Sequence, residues 1–242
     1  MTALLELRRV SKSFSGLRAV ANVSFEIAGD DIVALIGPNG AGKTTLFNII
    51  AGAAKVDTGT IHFNGIRIDG LRADQVCGVG IARTFQIVQP FAGLSVLDNV
   101  VVGALRHTGK PRDARIEADA ILDTLGLGAK RDLAAVHLTL PERKSLEVAR
   151  ALATRPKLLL LDEVLAGLRP TECDQMVKVL QAIHQRDGIG ILLIEHVMRA
   201  VMALAQQVVV LHHGEVIAQG TADEITRNPA VLECYLGADS EL

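Results

Sequence analysis

Short β-branched and aliphatic runs dominate the first third of the chain. Residues 4–10, 20–27 and 32–36 are separated by Gly, Ser and Asp, a pattern that predicts three strands. Residues 37–42 break the pattern, and 43–51 read as a helix. Residues 60–63 and 66–68 flank Asn64-Gly65, the signature of a hairpin with a tight turn, and 81–85 predict a further strand. The middle differs. Residues 96–105 read as helical, and 114–125 place Ala114, Ala118, Ile121, Leu122 and Leu125 on one helical face, with Arg115, Glu117, Asp119 and Asp123 mostly elsewhere. A third helix is expected over 142–153. Strand and helix then alternate: strands at 158–161 and 189–194, helices at 171–185 and 197–205. Two more strands, 207–211 and 215–218, flank His212-His213-Gly214, and short helices are expected around 223–226 and 230–236. Residues 88–155 thus read as a helical subdomain inserted into an α/β core formed by 1–87 and 156–242, all within one domain.

Composition narrows the function classes. With 242 residues and 49% hydrophobic residues, the chain can bury a sizeable core. The net charge of −2, the scattered basic residues, 3% aromatics and no Trp argue against a base-stacking nucleic-acid surface. Three widely spaced cysteines, Cys77, Cys173 and Cys234, form no Cys-x-x-Cys pair; they predict small buried side chains in a reducing compartment. Residues 1–12 carry no long apolar stretch, so no signal peptide is expected, nor any disordered tail beyond the last few residues. No run approaches the roughly 18 apolar residues needed to span a bilayer. A soluble chain is expected, with any membrane role reached through a partner.

Gly37-Pro38-Asn39-Gly40-Ala41-Gly42-Lys43-Thr44 fits the phosphate-loop pattern G-x-x-x-x-G-K-[ST] between a strand and a helix. Its glycines let backbone N–H groups approach phosphates, and the helix N-terminus adds positive potential. Lys43 is expected on the β- and γ-phosphates and the Thr44 hydroxyl on Mg²⁺; Thr45 completes the nucleotide-binding run. Downstream, Leu158-Leu159-Leu160-Leu161 delivers Asp162 to a sheet edge as a Mg²⁺ ligand through water, with Glu163 placed to accept a proton from attacking water. Three assignments carry open alternatives. His196 ends another apolar strand and either senses the γ-phosphate or is structural. Gln86 either reaches Mg²⁺ or the attacking water, or is an exposed loop residue. Phe14, 23 residues before Gly37, either stacks on adenine or belongs to the core.

The order Phe14, Gly37 to Thr44, Gln86, Leu138 to Glu142 before Ala149-Arg150-Ala151, Asp162-Glu163 and His196 resembles an ABC-type ATPase subunit along nearly the whole chain. Arg83-Thr84-Phe85-Gln86, Leu94-Ser95-Val96-Leu97-Asp98-Asn99-Val100, Ala166-Gly167-Leu168-Arg169-Pro170-Thr171-Glu172 and Tyr235-Leu236-Gly237 resemble the ATP-binding subunits of branched-chain amino-acid uptake transporters. The resemblance implies a P-loop NTPase core of ABC type, with an antiparallel β subdomain and the inserted helical subdomain. It implies an ATPase using ATP and Mg²⁺, paired with an identical or related second ATP-binding subunit. That dimer would dock beneath membrane permease subunits fed by a solute-binding protein, on the cytoplasmic face of the membrane. Two departures stand out. The family signature, usually Leu-Ser-Gly-Gly-Gln, is here Leu138-Thr139-Leu140-Pro141-Glu142. Thr139 keeps a hydroxyl for ATP held by the other subunit, but Pro141 has no N–H to offer the γ-phosphate. Thr139-x-x-Glu142 also reads as a capping box. Arg169 replaces the family's usual Asp or Asn and either binds a phosphate or acid across the dimer interface or is solvated. A soluble ABC-type ATPase and a low-turnover regulatory subunit are the competing readings.

Overall fold

Alternating apolar positions produce two long antiparallel strands, β1 (Ala3–Phe14) and β2 (Leu17–Ala28). Both outrun the apolar pattern because the ladder continues through polar pairs such as Ser13 opposite Arg18. β3 (Ile32–Ile36) is buried at every position and leads through the glycine-rich loop into α1 (Lys43–Ile50). β4 (Thr58–Phe63) and β5 (Ile66–Arg67) form the expected hairpin, with Asn64 and Gly65 both at positive φ, 50° and 78°. α2 (Ala73–Val79) has no counterpart in the sequence reading. Val76 is its one buried residue, so no apolar period reveals it. β6 (Ile81–Arg83) stops two residues before the predicted end. The Thr84 hydroxyl there accepts from the Asp162 N–H at 3.1 Å, and Phe85 turns out to solvent.

The helical run comprises α3 (Val96–Thr108), α4 (Pro111–Thr124) and α5 (Leu140–Leu152). The α/β alternation resumes with β7 (Leu158–Asp162), α6 (Pro170–Asp187), β8 (Gly190–Ile194), α7 (Met198–Leu204), β9 (Gln207–His212) and β10 (Glu215–Gly220). Two short helices, α8 (Ala222–Thr226) and α9 (Pro229–Gly237), follow. The computed structural model describes residues 3–237; the expected short tail lies outside the described residues.

The strands form two sheets. One is antiparallel, in the order β2-β1-β4-β5. The other runs β10-β9-β3-β8-β7-β6 and is parallel except for the edge strand β10. Period-two alternation divides the core between the two faces of the parallel sheet. Val33 and Leu35 of β3 face α1 and the antiparallel sheet. Ile32, Ala34 and Ile36 face a second cluster, which runs on through Val100, Ala118, Leu122 and Leu146 of the helical run. Helices α3 to α5 therefore rest on the sheet's own core. Cys173 and Cys234 are buried as expected, whereas Cys77 is only half-buried; all three are free. Among the described residues, no helix is long and apolar enough to cross a membrane.

Candidate functional site

Parallel pairing fixes where the chemistry-bearing residues meet. Ile36 ends β3, Arg83 ends β6, Asp162 ends β7 and Ile194 ends β8. Leu35 and Asp162 are both in register with Ile194. The segments that follow these strands, holding Gly37, Gln86, Glu163 and His196, consequently emerge along one sheet edge, the usual ligand crevice of an open α/β sheet.

The phosphate loop is packed too tightly for side chains at two glycines. A Cβ on Gly37 (φ 147°) would lie 2.0 Å from the Leu211 carbonyl oxygen, and one on Gly42 (φ 101°) 2.2 Å from that of Ala19. Lys43 opens α1 and is buried. Its Nζ donates to the carbonyls of Gly37 at 2.6 Å and Pro38 at 2.9 Å, spanning its own loop. Burial pushes its pKa down, while Glu163 and Asp162 push it back up. A cation, exposed loop residues Asn39 and Gly40, and a helix N-terminus together form a cradle suited to phosphate.

Asp162 and Glu163 have separate surroundings. Asp162 is 1% exposed, and its Oδ2 accepts from Arg83 Nη2 at 2.7 Å. Its Oδ1 is buried without a partner among the described residues. Thr44, Gln86 and Asp162 line one cleft of about 410 Å³. A buried unpaired carboxylate oxygen beside a hydroxyl and an amide fits a hard, oxygen-seeking divalent cation such as Mg²⁺. Glu163 stands at φ 51°, a left-handed conformation rare for a residue with a side chain. Its Oε1 lies 2.9 Å from His196 Nε2, and its Oε2 accepts from Gln86 Nε2 at 2.7 Å. The structure thus brings together Lys43, Thr44, Gln86, Asp162, Glu163 and His196.

Two predicted residues lie apart from this cluster. Phe14 ends β1 and is 48% exposed, so it is no core residue; Lys12 Nζ sits 5.3 Å from its ring centroid. Thr139 caps α5 on the helical run, where its N–H donates to Glu142 Oε2 at 3.0 Å. Glu142 is also ion-paired with Lys130. Its charge is therefore engaged within the chain, and those bonds hold its pKa down against the effect of burial. Arg169 is exposed at the start of α6.

Three further residues beside the site have no role assigned by the sequence pattern. Arg83 ion-pairs with Asp162 from the end of β6 and also bonds Asn48. Lys144 is 4% exposed on α5, in line with the buried Val148 and Ala151. A charge on an apolar helical stripe was the available signal. Glu195, 2% exposed, accepts from the Leu165 N–H at 2.8 Å. Burial pushes its pKa up to about 7, with Glu163 adding to the push and the Leu165 N–H and Lys144 opposing it.

The geometry agrees with what is known of similar chains. Residues 20–166 match the ABC transporter family, and residues 215–241 match a family described as branched-chain amino acid ATP-binding cassette transporter. The high-affinity branched-chain amino acid transport ATP-binding protein LivG of Salmonella typhimurium is 36% identical, over 97% of this chain and 98% of its own length. BraF of Pseudomonas aeruginosa, described in the same words, is 34% identical over the same shares. Two solved structures superpose with a TM-score of 0.88. One is a nucleotide-free ATP-binding cassette from an ABC transporter, at 29% identity over 97% of this chain and 99% of that one. The other is the ADP conformation of such a cassette, at 30% identity over 98% and 100%. Phosphate loop, paired acids and full-length likeness lead to one conclusion: this chain belongs to the ABC transporter family, as an ATP-binding subunit of the branched-chain amino acid group.

Proposed function

We propose that this ATPase is the motor of an uptake transporter for branched-chain or related amino acids, and that the cluster around Glu163 performs the hydrolysis. The observation that carries the reading is Glu163 itself, held by Gln86 and His196 beside Lys43 and Asp162. Each carboxylate oxygen spends one lone pair on those neighbours and keeps another for a water molecule. Glu163 takes the proton from water attacking the γ-phosphate of ATP, giving ADP and phosphate. Residues 37–44 and Thr45 hold the phosphates, Lys43 carries countercharge, and Phe14 offers an exposed ring to adenine. Thr44, Asp162 and Gln86 are the residues that would hold Mg²⁺, which would supply countercharge to the phosphates. His196 reaches the γ-phosphate, and Thr139 contacts ATP held by the second ATP-binding subunit.

The transport role sets aside the soluble and regulatory alternatives on the strength of the transport relatives LivG and BraF. Coupling needs a contact with permease subunits, and the segment after Gln86 supplies one. Ile87 is 71% exposed and Phe91 45%, and Phe85 and Phe91 border an apolar cleft of about 300 Å³ against α3. We place the boundary of the helical subdomain in this segment, at residue 88, and its return to the α/β core after residue 155. The dimer sits at the cytoplasmic face beneath the permeases, with a solute-binding protein on the far side and no nucleic-acid partner. Purifying the complex from native membranes through this chain tests the reading. Permease subunits and a second ATP-binding subunit should co-purify, and the associated binding protein should take leucine, isoleucine, valine or a related amino acid. Recovery of this chain without any membrane protein would overturn it.

A further inference from the structure

The conformation of Glu163 raises a mechanical question. A left-handed backbone at a residue with a side chain persists only where its surroundings enforce it. Three bonds pin this residue's main chain. Its N–H donates to the Ile194 carbonyl at 3.0 Å, which ties it to β8. Its carbonyl accepts from the Ala166 N–H at 3.2 Å and from Lys144 Nζ at 2.8 Å. The same Nζ donates to the carbonyl of Gln86 at 3.4 Å. One buried ammonium on α5 thus bridges the main chains of the two residues whose side chains meet at 2.7 Å in the site.

The charge of Lys144 matters as well as its reach. Burial pushes its pKa down, while Glu195, Glu163, Asp162 and Glu147 push it back up. Asp162, Glu163 and Glu195 gather at the ends of β7 and β8, with Glu147 on α5, and a cation set among carboxylates offsets their repulsion. No motif in the sequence marks Lys144, and the hydrogen bonds its Nζ makes go to main-chain carbonyls.

We propose that Lys144 is a positioning residue for hydrolysis: bonded to the Glu163 and Gln86 carbonyls, it holds the general base in its strained, productive orientation and ties α5 to both loops. The inference rests on the assignment of Glu163 as the base. Lys144 acts through its bonds to the Gln86 and Glu163 carbonyls, so its effect falls on turnover and spares ATP affinity.

The test compares Lys144→Met, Lys144→Gln and Lys144→Arg in the assembled complex, with kcat expressed per ATP-binding site counted by nucleotide titration. Misplacing a reacting group by about an ångström can lower a rate on the order of a hundredfold. Lys144→Met should lower kcat by roughly tenfold to a hundredfold, with KM for ATP and binding stoichiometry unchanged. Lys144→Arg, which keeps the cation and can reach both carbonyls, should restore most of the rate. Lys144→Gln, which keeps a donor without the charge, should fall between them and serves if the methionine variant does not accumulate. A normal kcat in the methionine or glutamine variant would overturn the proposal. So would equal losses in all three variants, or a loss that lies wholly in KM. A separate Glu163→Gln control guards the underlying assignment: if that variant turns over normally, the base itself is misassigned and the Lys144 results lose their footing.

Discussion

The Oε1 of Glu163 lies 2.9 Å from Nε2 of His196, across a sequence separation of 33 residues. Register produces this contact. Asp162 pairs with Ile194 in adjacent parallel strands, so the residues just past each strand end emerge side by side. With Glu163 ionised, Nε2 must carry the proton, which leaves Nδ1 unprotonated unless the ring is a cation. The pair thus joins a carboxylate suited to accept a proton to an imidazole at the mouth of the phosphate site.

Docking onto permeases should depend on the exposed apolar side chains after Gln86. Ile87→Asp combined with Phe91→Asp places two charges where apolar anchors sit. Losing a buried anchor in an interface is worth about 2 kcal/mol or more, roughly thirtyfold in affinity. Co-purification with the permeases and solute-stimulated ATPase should both be lost, while calorimetry of the variant chain should give unchanged ATP affinity. Normal assembly and uptake would place the docking surface elsewhere.

Pro141 should limit the ATP site that uses this chain's signature segment. It lies in the first turn of α5, where it completes the helix start but offers no N–H to a phosphate. Glu142 is already engaged by the Thr139 N–H and Lys130, so the missing donor is the sharper defect. In a heterodimer, Glu163→Gln in this chain silences the opposite site and isolates the weak one. In that background Pro141→Gly should raise the residual turnover roughly tenfold or more, since one preorganised donor to a developing anion is typically worth a hundredfold or more. An unchanged residual rate would show that the proline does not limit it.

Glu195 should make stability depend on pH. Its folded pKa, about 7, lies above the ordinary 4.5. A carboxyl shifted upward favours the folded state when protonated, so its contribution is fully present below about pH 4.5 and is lost as pH rises through about 7. Glu195→Gln keeps an acceptor for the Leu165 N–H and removes the titration. Its Tm relative to the parent should therefore be more favourable at pH 8 than at pH 5.5. A difference that does not change with pH would contradict the buried titration.

Much of this arrangement was legible in the sequence because it is local. The phosphate loop sits in eight consecutive residues, and Asp162-Glu163 follows an unbroken apolar strand. The α4 face was equally plain: Ala114, Ala118, Leu122 and Leu125 are buried as their spacing predicts, and Ile121 is half-buried against the same core. What pattern reading missed has a physical reason in each case. Helix α2 buries only Val76 and so shows no period. The early end of β6 comes from a side-chain bond between Thr84 and the Asp162 N–H, 78 residues apart. Arg83, Lys144 and Glu195 act through contacts between distant segments, where residue type alone carries little information.

The most direct test of the central claim, that hydrolysis at Glu163 drives uptake, is ATP-dependent solute accumulation in vesicles reconstituted with the complete transporter. Complexes carrying this chain unaltered are compared with Glu163→Gln complexes, and ATP binding is measured in parallel. Losing a general base typically lowers a rate by roughly 10²- to 10⁴-fold. The account predicts accumulation by the unaltered complex, and near-complete loss of both uptake and phosphate release in the variant, with ATP still bound. Uptake and phosphate release at unaltered rates by the Glu163→Gln complex would contradict it.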